Sequence, residues 1–409
     1  MAGDLWRSGE DRSDRITHPF HEGASIMRHC TQILFGFCSM ATLGFAQPTS
    51  VISAVQTDRS VVTTSTAGLL PTPPVDGLAE QAWQKLAAQL KAPDVPEPTH
   101  FARGDTDRIK ADRHKQAVKF AGRADDAKEF YTRFPQHPKA VEARKHEALA
   151  LMQAVRAGDA SLKTRTDATV QAFRRDKSVP VEHRVEVVGT YGFSQATSGN
   201  ASRAERLVAL EQVARGLVAE FPTQSQGYES LLTVANASDN EKGRSLANEL
   251  LASESPPAIK QRARLLIAQL ELVGQSLATL LAGVDSVALK AALKNGKPTL
   301  IYAWILSSPG SIKLAQRLAK TTAVSDFNLF GVSLDQDTVA ASQQAASEQL
   351  PGILIYDQQG PAGLLATTLK LTQAPQVFFA DGQGILRDVH GTDDITTKLA
   401  RYEQASIQK

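Results

Sequence analysis

The chain has 409 residues, of which 42% are hydrophobic, so it can bury a full core and fill two or three domains. Its 45 basic and 43 acidic side chains leave a formal net charge of +2. This near balance gives no electrostatic basis for binding nucleic acid or an anionic membrane surface, so neither partner is predicted.

Near the N-terminus, an apolar run extends from Ile33 to Phe45 and ends in small residues. It is too short to span a bilayer as a helix, and a basic residue precedes it just after Met27. We therefore interpret residues 27–46 as a secretory signal peptide and residues 1–26 as an extension upstream of the true start. A membrane anchor or a buried core helix is the alternative interpretation of the same run.

Both cysteines, Cys30 and Cys38, lie inside this predicted signal. Lipid attachment at Cys38 is disfavoured because the bulky Phe37 precedes it, where a small residue is needed. We expect the mature chain to be free of cysteine and of integral membrane segments. Its predicted location is periplasmic or secreted, in the bacterial cell envelope.

The segment from 47 to 77 is rich in Ser, Thr, Pro and Val without a sustained period, which indicates a linker. From Leu78 onward, apolar residues recur at the three-to-four spacing of an amphipathic helix. Residues 103–123 carry a cluster of Lys and Arg. A basic docking surface is one interpretation, but interspersed Asp residues favour a solvated helix face.

Similar segments then recur, each with Ala at its start, an apolar pair and a later Pro. They begin at Ala127, Ala214 and Ala247. Proline cannot continue a helix but is tolerated in a first turn, so each segment predicts the junction of two helices. The segments resemble tetratricopeptide-type repeats, although residues 160–200 fit poorly. We predict a helical domain over 78–271, which acts as an interaction scaffold or positions the C-terminal part of the chain.

After Leu272 the pattern becomes mixed. Apolar runs with β-branched residues predict strands, and segments with a helical period separate them in the order βαβαβαββα. The predicted strands lie in TLIYAWIL, LFGVSLD, GILIYD and the two arms of the hairpin QVFFADGQGILRDV. The expected fold class is a multidomain chain, a helical domain followed by an α/β/α sandwich with a mixed sheet.

Three local sequences in this part resemble the thioredoxin-like family, most closely its exported redoxin branch that acts in cytochrome maturation. They are GKPTLIYAW at Gly296–Trp304, GVSLD at Gly331–Asp335 and APQVFFADGQGIL at Ala374–Leu386. The resemblance covers 272–409. It implies a thioredoxin fold and a W-C-x-x-C motif directly after the first strand.

In this sequence the two cysteine positions of the family fall on Ser308 and Ser311, with Pro309 and Gly310 between them. A hydroxyl cannot form a mixed disulfide, so we interpret the motif as vestigial and predict no catalytic residue, cofactor or metal site. Serine is a preferred N-cap, so Ser308 is expected to cap the next helix. A hydrolytic Ser308 would need His390 as its base, which the family fold disfavours.

The resemblance also implies that Ala374 and Pro375 face the motif loop, where an extended substrate pairs with the backbone before a cis-proline. With Trp304, these residues form the predicted peptide-binding site. The main hypothesis is therefore a redox-inactive exported module that binds a protein or peptide. The alternatives are a thiol–disulfide oxidoreductase working with thiols supplied by a partner, and a purely structural role in the envelope.

Overall fold

The structure is a computed structural model that describes residues 77–91, 106–284, 287–322 and 327–389. The predicted upstream extension, signal peptide, most of the linker, the last helix and His390 lie outside these residues. Among the helices that the structure describes, none combines the length and apolar character needed to cross a bilayer.

Helices alone make up the N-terminal part of the described chain. They are α1 (Gly77–Lys91), α2 (Thr106–Arg133), α3 (Ala140–Arg156), α4 (Lys163–Arg175), α5 (Val181–Thr197), α6 (Arg203–Glu220), α7 (Ser225–Ala237), α8 (Asn240–Ala252) and α9 (Pro257–Leu270). Consecutive helices from α2 to α9 pack against each other. All three repeat segments cross a helix-to-helix junction, while their assignment to the tetratricopeptide type stays a prediction.

Local sequence explains where several of these helices begin. Ser202 and Glu205 form a reciprocal capping box at the start of α6, with each side chain bonded to the other residue's backbone N–H. Asp239 caps α8 by accepting a hydrogen bond from the Lys242 N–H at 2.9 Å. Pro257 opens α9, where its missing N–H costs nothing.

The C-terminal part alternates strands and helices. Its elements are α10 (Leu277–Leu280), α11 (Val287–Ala292), β1 (Thr299–Trp304), α12 (Pro309–Thr322), β2 (Asn328–Ser333), α13 (Thr338–Ser347), β3 (Ile353–Ile355), α14 (Leu364–Thr368), β4 (Gln376–Ala380) and β5 (Leu386–Asp388). The strand order is β3-β2-β1-β4-β5. Strands β1, β2 and β3 are parallel, and β4 pairs antiparallel with both β1 and β5. The predicted mixed sheet and its hairpin are confirmed.

Hydrophobic cores cover both faces of this sheet. Successive side chains of a strand point to opposite faces, so alternate residues of β1 enter different cores. Leu300, Tyr302 and Trp304 pack with α12 and α13 on one face. Ile301 and Ala303 point to the opposite face, into a larger core that also contains residues of α7, α8, α9 and α14. The helical part therefore shares a hydrophobic core with one face of the sheet.

The chain segment after α9 ties the two parts together through backbone hydrogen bonds. The Gly274 N–H donates to the Leu386 carbonyl, and the Leu386 N–H donates to the Gln275 carbonyl, at 2.8 and 2.9 Å. In addition, the buried Gln269 amide of α9 donates to the Lys370 carbonyl at 2.7 Å. The hydrophobic core is thus continuous across the predicted domain limit at 271, which stays a prediction.

Asp176, at the end of α4, gives the helical part a pH-dependent contribution to stability. Hydrogen bonds from the Ser178 side chain and from Arg144 lower its pKa from 3.8 to about 2. A carboxylate with a lowered pKa stabilises the fold above its unfolded pKa, and this effect is lost as the pH falls through the folded pKa. We expect Asp176→Asn to cost about 1 kcal/mol of unfolding free energy at pH 7 in urea titrations.

The difference between Asp176→Asn and the parent should narrow steadily as the pH falls from about 5 towards 2. Asp107→Asn is the matched control, because the Asp107 side chain is 96% exposed and its ion pair with Lys110, at 3.9 Å, is also exposed. A pH-independent difference at Asp176 would contradict the assignment.

Candidate functional site

The predicted motif loop comes directly after β1, at the carboxyl end of the parallel strands, where ligands of open α/β sheets commonly bind. Ala303 of β1 pairs with Gln376 of β4 in the antiparallel register. One step further along this register sets Pro375 opposite Trp304. The Ala374–Pro375 peptide bond is cis. The sheet therefore brings the loop from 305 to 311 and the segment before β4 to the same edge.

Helix α12 begins at Pro309, so Ser308 occupies its N-cap position. The Ser311 N–H donates to the Ser308 carbonyl at 3.0 Å, which closes the first turn. Ser308 is half-buried, whereas Pro309 and Gly310 are exposed. The four residues of the motif thus span the entry into α12, while capping by the Ser308 hydroxyl itself stays a prediction.

Ser311 is fully buried, with no exposed surface, and its hydroxyl holds the loop closed. The oxygen donates to the Ser308 carbonyl at 2.7 Å and accepts a hydrogen bond from the Ile305 N–H at 3.2 Å. Ser311 is therefore a structural residue that no ligand can reach in this conformation.

Asp335, which the sequence prediction did not include among the site residues, supports the same loop from the end of β2. Its carboxylate accepts hydrogen bonds from the Leu306 N–H at 3.0 Å and from the Ser333 hydroxyl at 3.1 Å. The GVSLD sequence that carried the family resemblance contains both Ser333 and Asp335. Its polar residues at the end of a buried strand were the available signal.

Trp304 differs from its predicted role as a peptide-binding residue. Its side chain has no exposed surface and packs on the α12 face of the sheet, with the Tyr356 ring centroid 6.2 Å away in an edge-to-face arrangement. A ligand cannot contact it without a rearrangement. The physical reason is the strand alternation, which directs residue 304 into the core together with Leu300 and Tyr302.

The segment before β4 offers unpaired backbone next to the loop. The N–H groups of Thr372, Gln373 and Ala374 donate no hydrogen bond to any other residue that the structure describes. Thr372 and Gln373 are exposed, and Ala374 is half-buried. Just upstream, the bond from Gln269 to the Lys370 carbonyl fixes the start of the segment. The segment is thus held at its base and open along its edge.

These residues limit the chemistry that the site can perform. The loop and the segment before β4 contain no thiol, and all the histidines that the structure describes lie in the helical part. No cluster of potential metal ligands occurs in the described ranges. Among the described residues, the site therefore offers hydroxyls, backbone groups and the Asp335 carboxylate, which Leu306 and Ser333 hold in place, and it contains no pair of cysteines.

No family model matches the chain. The thiol:disulfide interchange protein DsbE of Yersinia pestis is 30% identical over 105 residues, which are 25% of this chain and 54% of that protein. The chain therefore spans about half the length of this relative.

Solved structures of thiol-disulfide oxidoreductases match a similar share of this chain. The C-terminal domain of a putative thiol-disulfide oxidoreductase from Bacteroides thetaiotaomicron matches 27% of this chain and 79% of that chain, at 16% identity and a TM-score of 0.25. A secreted Mycobacterium tuberculosis disulfide oxidoreductase matches 27% and 85%, at 19% identity and a TM-score of 0.24.

The strand order, the antiparallel β4 and the helices on both faces decide the fold. The C-terminal part of the chain is a thioredoxin-like domain. The chain is similar in sequence to one thiol:disulfide interchange protein over 105 residues, while the assignment of Ser308 and Ser311 to the cysteine positions of such proteins stays a prediction.

Proposed function

We propose that this protein binds an extended segment of polypeptide at the edge formed by residues 307–311 and 372–375, as an exported thioredoxin-like module without its own redox pair. One observation carries the proposal: the unpaired backbone of Thr372, Gln373 and Ala374 beside the motif loop. An extended chain gains main-chain hydrogen bonds when it pairs with such backbone.

The motif loop supplies the second wall of this binding site. Ser307 in this loop is exposed. The Gly310 N–H, in the first turn of α12, donates no backbone hydrogen bond to the described residues. First-turn N–H groups of a helix lack intrahelical acceptors, so they are available to a carbonyl of a ligand. Ser311 and Asp335 keep the loop in place from behind.

A direct test uses a fluorescein-labelled unfolded protein whose cysteines are alkylated, so that binding cannot depend on thiols. Gly310→Glu should weaken binding by about tenfold or more, because a long side chain then crowds the mouth beside Ser308. The substitution fits the fold, since a Cβ at Gly310 would meet only the Ser308 Oγ, at 3.8 Å. Fluorescence anisotropy of the full chain measures the affinity.

Gly216→Glu is the matched control for this experiment. Gly216 lies on α6, far along the chain in the helical part, and a Cβ there meets nothing within 4 Å. It should leave the affinity unchanged. Equal affinities for the parent and Gly310→Glu, with both folded, would remove the proposal.

The similarity to an interchange protein favours a second candidate function: thiol–disulfide exchange with thiols supplied by a partner. This candidate has the more direct support from the comparisons. In it, a partner dithiol reduces a disulfide in the bound polypeptide; the partner is oxidised by two electrons, and its protons pass to the released thiols. This protein holds the disulfide in reach without changing its own redox state.

A reduction assay separates the two candidates. Dithiothreitol stands in for the partner dithiol, and insulin provides the disulfides. Faster reduction of insulin in the presence of catalytic amounts of the full chain supports the second candidate, provided that Cys30→Ser and Cys38→Ser leave the rate unchanged. An unchanged reduction rate together with measurable binding supports the first.

The same relatives support an envelope location for this protein, in line with the predicted signal at 27–46. We also propose that the helical part over 78–271 serves mainly to position the thioredoxin-like domain over 272–409. The support is the core that α7, α8 and α9 share with the sheet.

A further inference from the structure

A cleft in the helical part, between α2, α3 and α4, is unrelated to the motif loop. Its volume is about 310 Å³. Glu147 lies at its base with a side chain only 4% exposed. The Tyr131 hydroxyl donates to Glu147 Oε2 at 2.6 Å, and Arg165 Nη2 donates to Oε1 at 2.8 Å. The buried carboxylate is therefore paired with a cation and hydrogen-bonded.

Three basic side chains, Lys128, Arg144 and Arg165, line the cleft, against the single acidic side chain of Glu147. Lys128 is exposed and makes no ion pair or hydrogen bond with the residues that the structure describes. The lining therefore contains one cation, Lys128, with all of its donors available.

Two further acidic side chains, those of Asp176 and Asp125, pair with the two arginines and offset their charge. Arg144 Nη1 donates to Asp176 at 2.8 Å, and Arg165 Nη1 donates to Asp125 at 2.6 Å. The Asp125 side chain is 65% exposed, so its pairing contributes little and is readily exchanged. The remaining N–H groups of Arg144 have no acceptor among the described residues and can serve a ligand.

The wall that α4 contributes is built from small residues. Ala168 and Ala172, one turn apart, are both exposed along the cleft. Phe173 beside them is buried, and the Arg144 guanidinium lies over its ring at 5.7 Å from the centroid. This ring orients Arg144, and the alanines leave room for a polypeptide backbone to pass.

We propose that the cleft between α2, α3 and α4 binds an acidic segment of a polypeptide, with a ligand carboxylate bonded to Lys128 and Arg144. The free N–H donors of Lys128 and Arg144 favour an anionic ligand. Glu147 already accepts hydrogen bonds from Tyr131 and Arg165, so its carboxylate is not free to bind a cation. Ala168 and Ala172 are exposed beside these cations, so a polypeptide bound there can continue along α4, which a small anion cannot do. The site is separate in the fold from the proposed site at the motif loop.

The test titrates the full chain with a fluorescein-labelled peptide of alternating Ala and Glu. A peptide of the same length with Gln for Glu is the control ligand, and succinate is a competing small carboxylate. Lys128→Glu should weaken binding of the Glu peptide by at least about fivefold, since it replaces attraction by repulsion. Lys115→Glu, an exposed position on the same helix, should have little effect.

The proposal is supported when the Glu peptide binds more tightly than the Gln peptide in a salt-sensitive manner, and when the loss is specific to Lys128. It is overturned when the two peptides bind equally, or when the two lysine variants behave alike. Succinate binding as tightly as the peptide would overturn the assignment to a polypeptide.

Discussion

Replacing Ser308 and Ser311 with cysteine is expected to produce dithiol activity at the motif loop. In a chain that also carries Cys30→Ser and Cys38→Ser, insulin reduction should rise by at least about tenfold over the same background without the new cysteines. We expect this gain in activity because of where the two residues lie on the fold. Residue 308 lies at the N-terminus of α12, and residue 311 lies one turn behind it.

A thiol at residue 308 faces the first-turn N–H groups and the positive end of a 14-residue helix, which lower its pKa towards neutrality. The buried position of residue 311 is suited to a resolving thiol. We expect the loss of the Ser311 hydroxyl bonds to cost about 1 kcal/mol of unfolding free energy, so the variant should remain folded.

Ser308→Cys alone is the informative control. Without a second thiol, its thiolate should attack a disulfide of insulin, release one insulin thiol and remain in a mixed disulfide, so that no turnover follows. Mass spectrometry of the non-reduced product measures this adduct. If the double cysteine variant folds but forms neither an internal disulfide nor an adduct, the loop does not have the geometry of the family's motif.

Truncating Leu270 in α9 should destabilise both parts of the protein. Its side chain is 1% exposed and belongs to the core that contains sheet residues such as Phe330 and Phe378. Leu270→Ala is expected to cost about 2–5 kcal/mol through lost burial and the cavity left behind. Hydrogen exchange should show reduced protection in β1 and β4 as well as in α8 and α9.

Leu151→Ala provides the matched control in α3. Leu151 is also fully buried, but it packs in a separate cluster with Ala124 and Ala150. Its loss of protection should centre on α2 and α3 and leave β1 and β4 near their parent values. Similar exchange patterns for the two variants would contradict the shared core around Leu270.

Much of the sheet could be predicted from the sequence because its strands are continuous apolar runs between turn residues. The observed strands β1 and β2 start within a residue of TLIYAWIL and LFGVSLD. Helix α12 begins three residues before the predicted IKLAQRLAK, since Pro309 fits a first turn without adding to the apolar period. The local pattern of apolar residues predicts the position of a helix or strand better than its end residues.

The candidate site was harder to predict, because its supports are distant in sequence. Residues 308, 311 and 375 could be located from the family resemblance. The bond from Gln269 to Lys370 joins residues 101 positions apart, and nothing local to either one indicates it. Likewise, Lys128 and Arg165 meet in one cleft only because α2 and α4 pack on α3. Trp304 showed that a residue of the motif can be wholly internal.

The hydroxyl of Ser311 gives the loop a property that a cysteine pair would not have. A loop joined by sulfur changes its covalent structure whenever the surroundings become more oxidising or reducing. Here the closure depends on hydrogen bonds to Ile305 and Ser308, which no electron transfer alters. The binding edge formed by residues 307–311 and 372–375 should therefore keep the same surface at any redox potential of its compartment.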